Sequence, residues 1–389
     1  MSKMSILQVR LENDGVELGW SDGKTSFFHS IWMRDNCCCD ICGRPEIGRR
    51  QSRLSALDLN VSISSAIIEN DSLQVSWSEG HHSSFASDWL RANAYDEVSR
   101  RERSFVPQGW DQTFRDSPPE FDFIEASQND EVFLKALQSV RDHGICFLKN
   151  APPKDGVLEP FAARIGPIQE SNFGRIQNLA IDLSSGAVAQ SAIALKPHTD
   201  EPYRASPPGI LIFLCIETDV EGAGTSTFLD GFEIAETLRN EDPDGFAVLA
   251  RNNQPFRRHY ANNVDLIAEF PVISLDSLGN IIGVRVNDRV GAPVSIPAED
   301  VVPYYRAMKR FLTLSEDPDR ILHLKLQPGD VAIFDNHRIL HGRTELTVTG
   351  PRWLQWMQVE RGDFNSSLRI MADNLGQPRD ANPLLRGAY

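Results

Sequence analysis

Asp335-Asn336-His337-Arg338-Ile339-Leu340-His341-Gly342-Arg343 is the stretch on which the reading of this chain turns, together with Pro197-His198-Thr199-Asp200 far upstream. His-x-Asp plus a distant His is the ligand set of the 2-His-1-carboxylate facial triad, which holds a non-haem iron(II) on one face and leaves the opposite face open. His198 sits between Pro197 and Pro202, so it belongs to a strand end or loop rather than to mid-helix. The apolar run Gly209–Ile216 follows closely. His341 comes after a Pro328-Gly329 turn and the run Val331-Ala332-Ile333-Phe334. Arg352, eleven residues beyond His341, opens a third such run. Period-two alternation puts Arg352, Leu354 and Trp356 on one face. An arginine sharing a face with leucine and tryptophan needs an anion. The far carboxylate of a dicarboxylate co-substrate would meet its fork bidentately, and a structural salt bridge would also satisfy it.

These strings, with Gly222-Ala223-Gly224-Thr225 between them, resemble the γ-butyrobetaine hydroxylase/trimethyllysine dioxygenase branch of the taurine-dioxygenase-like superfamily. The resemblance covers nearly the whole chain, and Asp-Asn-x-Arg-x-Leu-His-Gly-Arg is specific to that branch. It implies a mainly β fold with flanking helices: a double-stranded β-helix (jelly roll) catalytic domain behind a small zinc-binding N-terminal β domain. It also implies Fe(II), 2-oxoglutarate and O2. By position, His198, Asp200 and His341 would bind iron. Arg352, helped by the Thr225 hydroxyl, would bind the 5-carboxylate of 2-oxoglutarate.

The 389 residues exceed one small domain, and 41% hydrophobic with 24% charged residues is ordinary globular composition. No apolar run reaches membrane-spanning length, and the amino terminus lacks a signal-peptide core, so a cytoplasmic location is expected. A net charge of −15 argues against nucleic acid and anionic membranes as partners. A small zwitterionic substrate and a second copy of the chain are the partners expected. Residues 1–100 read as a β domain, 101–120 as a charged, Pro-containing linker, and 121–389 as the catalytic domain. Asp130–His143 has helical spacing and ends at Gly144. Glu299–Ser315 reads as a second helix whose stripe Val302, Tyr305, Met308 and Leu312 packs the core. The tail from Asn365 reads as loop, with Leu384 and Leu385 as docking anchors. No internal repeat is evident.

Four of the six cysteines crowd together as Cys37, Cys38, Cys39 and Cys42. Disulfides across so tight a cluster would be geometrically poor, which leaves metal binding. Cys37-x-Cys39-x2-Cys42 needs a fourth ligand for tetrahedral zinc, and Cys38, His29, His81 and His82 are candidates. The resemblance selects His81, four residues before Phe85 and ahead of Trp89-Leu90. Cys146 and Cys215 lie in apolar runs and read as buried small hydrophobes.

The resembling enzymes hold a trimethylammonium in an aromatic cage. Phe173 keeps one such position, while Gln177, Gln190 and Glu201 stand where aromatics are expected. Tyr203 would compensate and Asp182 would add charge. At the anion end, Asn287 stands where those enzymes meet the substrate carboxylate, and Arg289 adds a fork of donors suited to a tetrahedral dianion. A subgroup of the resembling enzymes hydroxylates 2-(trimethylammonio)ethylphosphonate, and these departures resemble that subgroup more than the carnitine-forming enzymes, which implies this phosphonate as the expected substrate, hydroxylated next to phosphorus. The alternative is γ-butyrobetaine, giving carnitine. Rivals of another class are a metal-dependent hydrolase and a non-catalytic betaine-binding jelly roll.

Overall fold

The computed structural model describes residues 4–44, 48–104, 106–180, 193–218, 224–260, 263–345 and 352–377. The chain divides into two compact units, Met1–Ser104 and Phe105–Tyr389.

The first unit contains the same motif twice. The strands Ile6–Glu12, Gly15–Trp20 and Thr25–His29 form an antiparallel sheet followed by the helix Ser30–Asp35. The strands Ile63–Glu69, Ser72–Trp77 and His82–Ala86 form another, followed by the helix Ser87–Asn93. Alternation sends Val16, Leu18 and Trp20 inward from one half and Leu73, Val75 and Trp77 from the other, into one shared core. Each tryptophan donates its indole N–H to a serine six residues on: Trp20 to Ser26 at 3.0 Å and Trp77 to Ser83 at 2.8 Å. Each half also sends an arginine to an acid of the other: Arg34 to Glu79 at 2.6 Å, and Arg91 to Asp22 at 3.2 Å. This corrects the expectation of no repeat. Trp20, Gly23, Ser26, Phe28, Ser30, Trp32 and Arg34 recur as Trp77, Gly80, Ser83, Phe85, Ser87, Trp89 and Arg91, always 57 residues later.

The second unit is built on two sheets. The larger has six strands, in the order Gln177–Ala180, Arg352–Val359, Ile210–Thr218, Val331–Asp335, Ile145–Lys149 and Glu120–Asp122. The smaller has four: Leu195–His198, Ile339–Arg343, Ser226–Asp230 and Leu322–Leu324. From Gln177–Ala180 to Ser226–Asp230, and again from Leu322–Leu324 to Arg352–Val359, successive strands of these two sheets alternate between them, as in a double-stranded β-helix. Phe147, Leu211, Phe213, Phe334 and Trp356 from the larger sheet pack against Phe228, Leu322 and Ile339 from the smaller. The outer face of the larger sheet is covered by three helices, Asp130–His143, Leu158–Ile165 and Arg361–Asn374. This explains why Ile210–Ile216 is buried without alternation: both of its faces are covered. Cys146 and Cys215 are buried in these strands, as expected. Among the described residues no helix is long and apolar enough to cross a membrane.

Three further expectations need correction. The described residues of the stretch 101–120 are folded rather than a linker. Trp110, 4% exposed, stacks on Phe114 in the inter-sheet core, and its indole donates to the His143 carbonyl at 2.8 Å. Its charged, Pro-containing composition hid two aromatic anchors. The helix Ala298–Ser315 buries Tyr304, Ala307, Phe311 and Leu314, whereas Val302 and Tyr305 are 66% and 57% exposed. Two apolar stripes compete on that helix, and the aromatic one, with more area to bury, faces the core. The start of the tail is helical through Asn374, and Leu384 and Leu385 lie outside the described residues.

Candidate active site

His198 and His341 are direct cross-strand partners on two antiparallel strands, so their rings meet, with centroids 4.5 Å apart. Asp200 follows two residues on. Its Oδ1 lies 3.3 Å from His198 Nε2 and its Oδ2 lies 3.4 Å from His341 Nε2. One ligand atom from each of the three falls within 4.8 Å of the others. The Lys196 carbonyl, 2.8 Å from His198 Nδ1, fixes the tautomer that leaves Nε2 free to coordinate. Burial lowers the His198 pKa, and the neighbouring His341 lowers it further. Burial alone would raise the Asp200 pKa, but His341 and His198 together hold it well below the usual carboxylate range. Ionised carboxylate and neutral imidazole are the protonation states that metal ligation requires.

The nine-residue string earns its specificity by supporting this trio. Asn336 accepts from the Asp200 backbone N–H at 2.7 Å and donates to the Asp200 and Pro208 carbonyls, clamping the turn that aims the carboxylate. Asp335 pairs with Arg361 at 2.9 Å. Arg338 pairs with Asp230 at 2.6 Å, both fully buried, and donates to the carbonyls of Asp142 and Gln108. Breaking so well satisfied a buried pair typically costs about 3–5 kcal/mol. Gly342 is required by proximity: a Cβ there would sit 2.4 Å from the Leu195 carbonyl oxygen and push the two histidine strands apart.

The trio opens onto a cavity of about 520 Å³. Arg352, Leu354 and Trp356 all line it, as their alternation predicts. Burial lowers the Arg352 pKa, and among the described residues no carboxylate pairs with it. Arg343 lines the same cavity, and burial beside Arg352 lowers its pKa to about 10. Two neighbouring buried guanidiniums make a receptor for a carboxylate. Thr225 does not line the cavity; its backbone exchanges hydrogen bonds with Thr344, and the hydroxyl on the cavity wall belongs to the next residue, Ser226. Alternation along that strand decides which of the two hydroxyls faces in.

Phe173, Gln177, Glu201, Tyr203, Asn287 and Arg289 also line the cavity. Glu201 is buried in left-handed backbone, φ 49°, and pairs with Arg204. Its other oxygen has no partner. Asn287 spends an amide N–H on the Thr199 carbonyl at 3.2 Å. Asp182 and Gln190 lie outside the described residues. Sequence reasoning missed Arg258 and Tyr260, which line the cavity from the hairpin Asn253–Pro271. The period-two pattern of Arg257-Arg258-His259-Tyr260 was the available signal.

In the N-terminal unit, His81 Nε2 lies 3.4, 3.6 and 3.6 Å from the sulfurs of Cys37, Cys39 and Cys42. Tetrahedral bonds of ~2.3 Å to sulfur and ~2.0 Å to nitrogen make the S···N edge about 3.5 Å. The four residues therefore stand at zinc spacing. Cys38 is exposed, and His82 meets Ser76 instead. Ser83 donates to the Cys37 sulfur at 3.0 Å and Arg34 to the Cys42 sulfur at 3.3 Å, contacts that suit thiolates.

Comparison with known proteins agrees with this geometry. Residues 112–358 match the model described as taurine catabolism dioxygenase TauD, TfdA family, and residues 7–91 match gamma-butyrobetaine hydroxylase-like, N-terminal. The chain is 35% identical over 363 residues to the gamma-butyrobetaine dioxygenase of Pseudomonas sp. (strain AK-1), covering 92% of this chain and 94% of that one. The gamma-butyrobetaine dioxygenase of Homo sapiens is 29% identical over 336 residues, covering 84% of this chain and 86% of that one. The trimethyllysine dioxygenase of Meyerozyma guilliermondii is 29% identical over 401 residues, covering 97% and 98%.

Proposed function

Because the chain belongs to the TauD/TfdA dioxygenase family, on the branch of the γ-butyrobetaine and trimethyllysine dioxygenases, we propose that it hydroxylates a small quaternary-ammonium zwitterion using iron(II), 2-oxoglutarate and O2. Membership in a family of dioxygenases removes the hydrolase and the non-catalytic readings. The observation that carries the proposal is the trio of donor atoms with one open side, facing a cavity that also holds the buried Arg343 and Arg352.

The donor set fits iron(II): two imidazoles and one carboxylate within reach of a single ion. Bound together, iron, 2-oxoglutarate and oxygen supply the oxidising power for an unactivated C–H bond. The chain's own residues supply the rest. Arg352, with Arg343 beside it and Ser226 on the wall, would hold the far carboxylate of the co-substrate. Phe213, Phe228, Leu354 and Trp356 line the cavity with apolar surface that excludes water from the reacting carbon. Phe173, Tyr203 and Tyr260 offer aromatic faces to a trimethylammonium, and the partly free Glu201 carboxylate adds charge.

The named relatives act on γ-butyrobetaine or trimethyllysine, so they favour the carnitine-forming alternative and give the phosphonate reading no support. The phosphonate stands on the cationic side chains of the cavity alone. Cys37, Cys39, Cys42 and His81 fit a structural zinc, saturated by four protein ligands and therefore without an open position.

The test is succinate formed from 2-oxoglutarate on addition of γ-butyrobetaine, trimethyllysine or 2-(trimethylammonio)ethylphosphonate. At least one should stimulate it, and stimulation by none overturns the proposal. Arg352→Ala should weaken co-substrate binding by about 3–5 kcal/mol, raising the KM for 2-oxoglutarate at least a hundredfold. An unchanged KM removes Arg352 from that role.

A further inference from the structure

The two halves of the N-terminal unit match in backbone as well as in sequence. Gly15–Trp20 pairs with Thr25–His29 from Gly15 opposite His29 to Gly19 opposite Thr25, and Ser72–Trp77 pairs with His82–Ala86 from Ser72 opposite Ala86 to Ser76 opposite His82. Even the irregularity in the first strand is shared, after Ile6 in one half and after Ile63 in the other. The turn that carries His81 is closed by the Trp77 amide, which donates to the His81 carbonyl at 3.0 Å. The Trp20 amide donates to the Lys24 carbonyl at 2.9 Å. Beyond each helix the chain also runs alike. The Cys37 amide donates to the Arg34 carbonyl and the Gly43 amide to the Cys39 carbonyl. In the other half the Ala94 amide donates to the Arg91 carbonyl and the Arg100 amide to the Asp96 carbonyl.

Each zinc-type ligand therefore has a counterpart with the same local backbone: Cys37, Cys39, Cys42 and His81 correspond to Ala94, Asp96, Ser99 and Lys24. The donors behind them correspond too. Arg34 donates to the Cys42 sulfur at 3.3 Å, and Arg91 to the Ser99 hydroxyl at 3.0 Å. Ser83 donates to the Cys37 sulfur at 3.0 Å, and Ser26 to the Asp96 carboxylate at 3.1 Å. What differs is the source of positive charge. Three thiolates and an imidazole call for a dication. Around the counterpart the cations are built in. Lys24 pairs with Glu102, and Arg91 pairs with Asp22 at 3.2 Å and with Glu102 at 3.4 Å. Asp96 also caps the helix Glu97–Glu102, accepting from the Ser99 amide at 2.8 Å.

We infer that the N-terminal unit holds a second metal-site framework, at Ala94, Asp96, Ser99 and Lys24, in which side-chain charges take the part that zinc takes in the first. This rests on the zinc reading of the cysteine cluster and is independent of the hydroxylase reading. The backbone of the second framework already presents four ligand positions, so thiols and an imidazole placed there would close on a metal. As it stands, its own ion pairs and the Asp96 cap hold it, and it needs no metal to stay folded. Two sheets that merely shared a register would not bring their arginine and serine donors, and the loop that follows each helix, to matching places.

The direct test restores the ligands. The full chain carrying Lys24→His, Ala94→Cys, Asp96→Cys and Ser99→Cys together should hold about two zinc ions by metal analysis, against about one in the wild type. A folded variant that still holds one zinc overturns the second framework and leaves the first site intact. A wild type without zinc removes the first site and the inference with it. Amide hydrogen exchange in the wild-type chain decides the matter even where the fourfold variant does not fold. Removing zinc with a chelator should speed exchange at the Cys42 and Gly43 amides by about tenfold or more, and leave the equivalent Ser99 and Arg100 amides protected. Equal acceleration at both pairs of amides overturns the inference, because the second framework would then depend on the metal of the first.

Discussion

The molecule carries two clusters of metal-type ligands, and they differ in how many donors converge and in what lies beyond them. Cys37, Cys39, Cys42 and His81 close on one point with four donors, and Ser83 and Arg34 bond to the sulfurs from behind. His198, Asp200 and His341 converge with three, and their free side faces about 520 Å³ of cavity. A saturated tetrahedron stabilises a small domain; an incomplete set leaves positions where a reaction can occur. The duplicated N-terminal motif sharpens the contrast. Where the second half places His81, the first half has Lys24, which pairs with Glu102. Where Ser83 meets the Cys37 sulfur, Ser26 meets the Asp96 carboxylate at 3.1 Å. The same β motif therefore frames a thiolate–imidazole cluster on one side and a network of charged side chains on the other. The backbone does not dictate which; the side chains at equivalent positions do.

The largest expected effect separates the two clusters by what each loses. His341→Ala should reduce substrate-dependent succinate formation to background while the midpoint of thermal unfolding moves little, because an open site contributes to chemistry more than to folding. Cys39→Ser should release about one zinc per chain by metal analysis and lower that midpoint markedly, because the metal bonds substitute for core in a small β unit. Retained turnover in His341→Ala, or retained zinc and stability in Cys39→Ser, would abolish the distinction.

The parts of this division that sequence made legible were those carried by residue type and fixed local spacing. His198-x-Asp200, the distal His341 and the alternation Arg352, Leu354, Trp356 all reached the expected cavity, because a two-residue step and a strand's period survive folding unchanged. The choice of His81 over His82 came from the resemblance, by its spacing from Phe85, and the structure sets His81 against the three sulfurs while His82 meets Ser76. What failed depended on tertiary competition. Thr225 and Ser226 both offer hydroxyls, and only the register of the strand Ser226–Asp230 against Ile339–Arg343 puts Ser226 on the cavity wall. Tyr304 and Tyr305 both sit on apolar helical stripes, and packing against Phe246 and Val272 chose the former. Trp110 and Phe114 were hidden among the polar and charged residues around them in sequence. The 57-residue repeat was present in the sequence throughout, but at the few positions the core and the crossed ion pairs require it is diluted by variable loops.

The smallest expected effect falls on the solvent side of the cavity hairpin. Arg257 and Arg258 are adjacent and share a charge and a strand, yet one faces solvent and the other the cavity. Arg257 and its partner Asp265 are 51% and 46% exposed, so water and salt screen the pair. An exposed pair of this kind contributes little to stability. Arg257→Ala should therefore barely move the midpoint of thermal unfolding and leave substrate-dependent succinate formation unchanged. The pair lowers the Asp265 pKa below its ordinary value, chiefly through the hydrogen bond from Arg257. A depressed carboxylate pKa contributes stability above its unfolded value and loses it as pH falls through the folded one, so the small difference between wild type and Arg257→Ala should shrink on acidification below pH ~4. If Arg257→Ala instead lowered succinate formation, the hairpin would be acting through its bulk charge, and the inward turn of Arg258, which alternation alone provides, would explain nothing about the cavity.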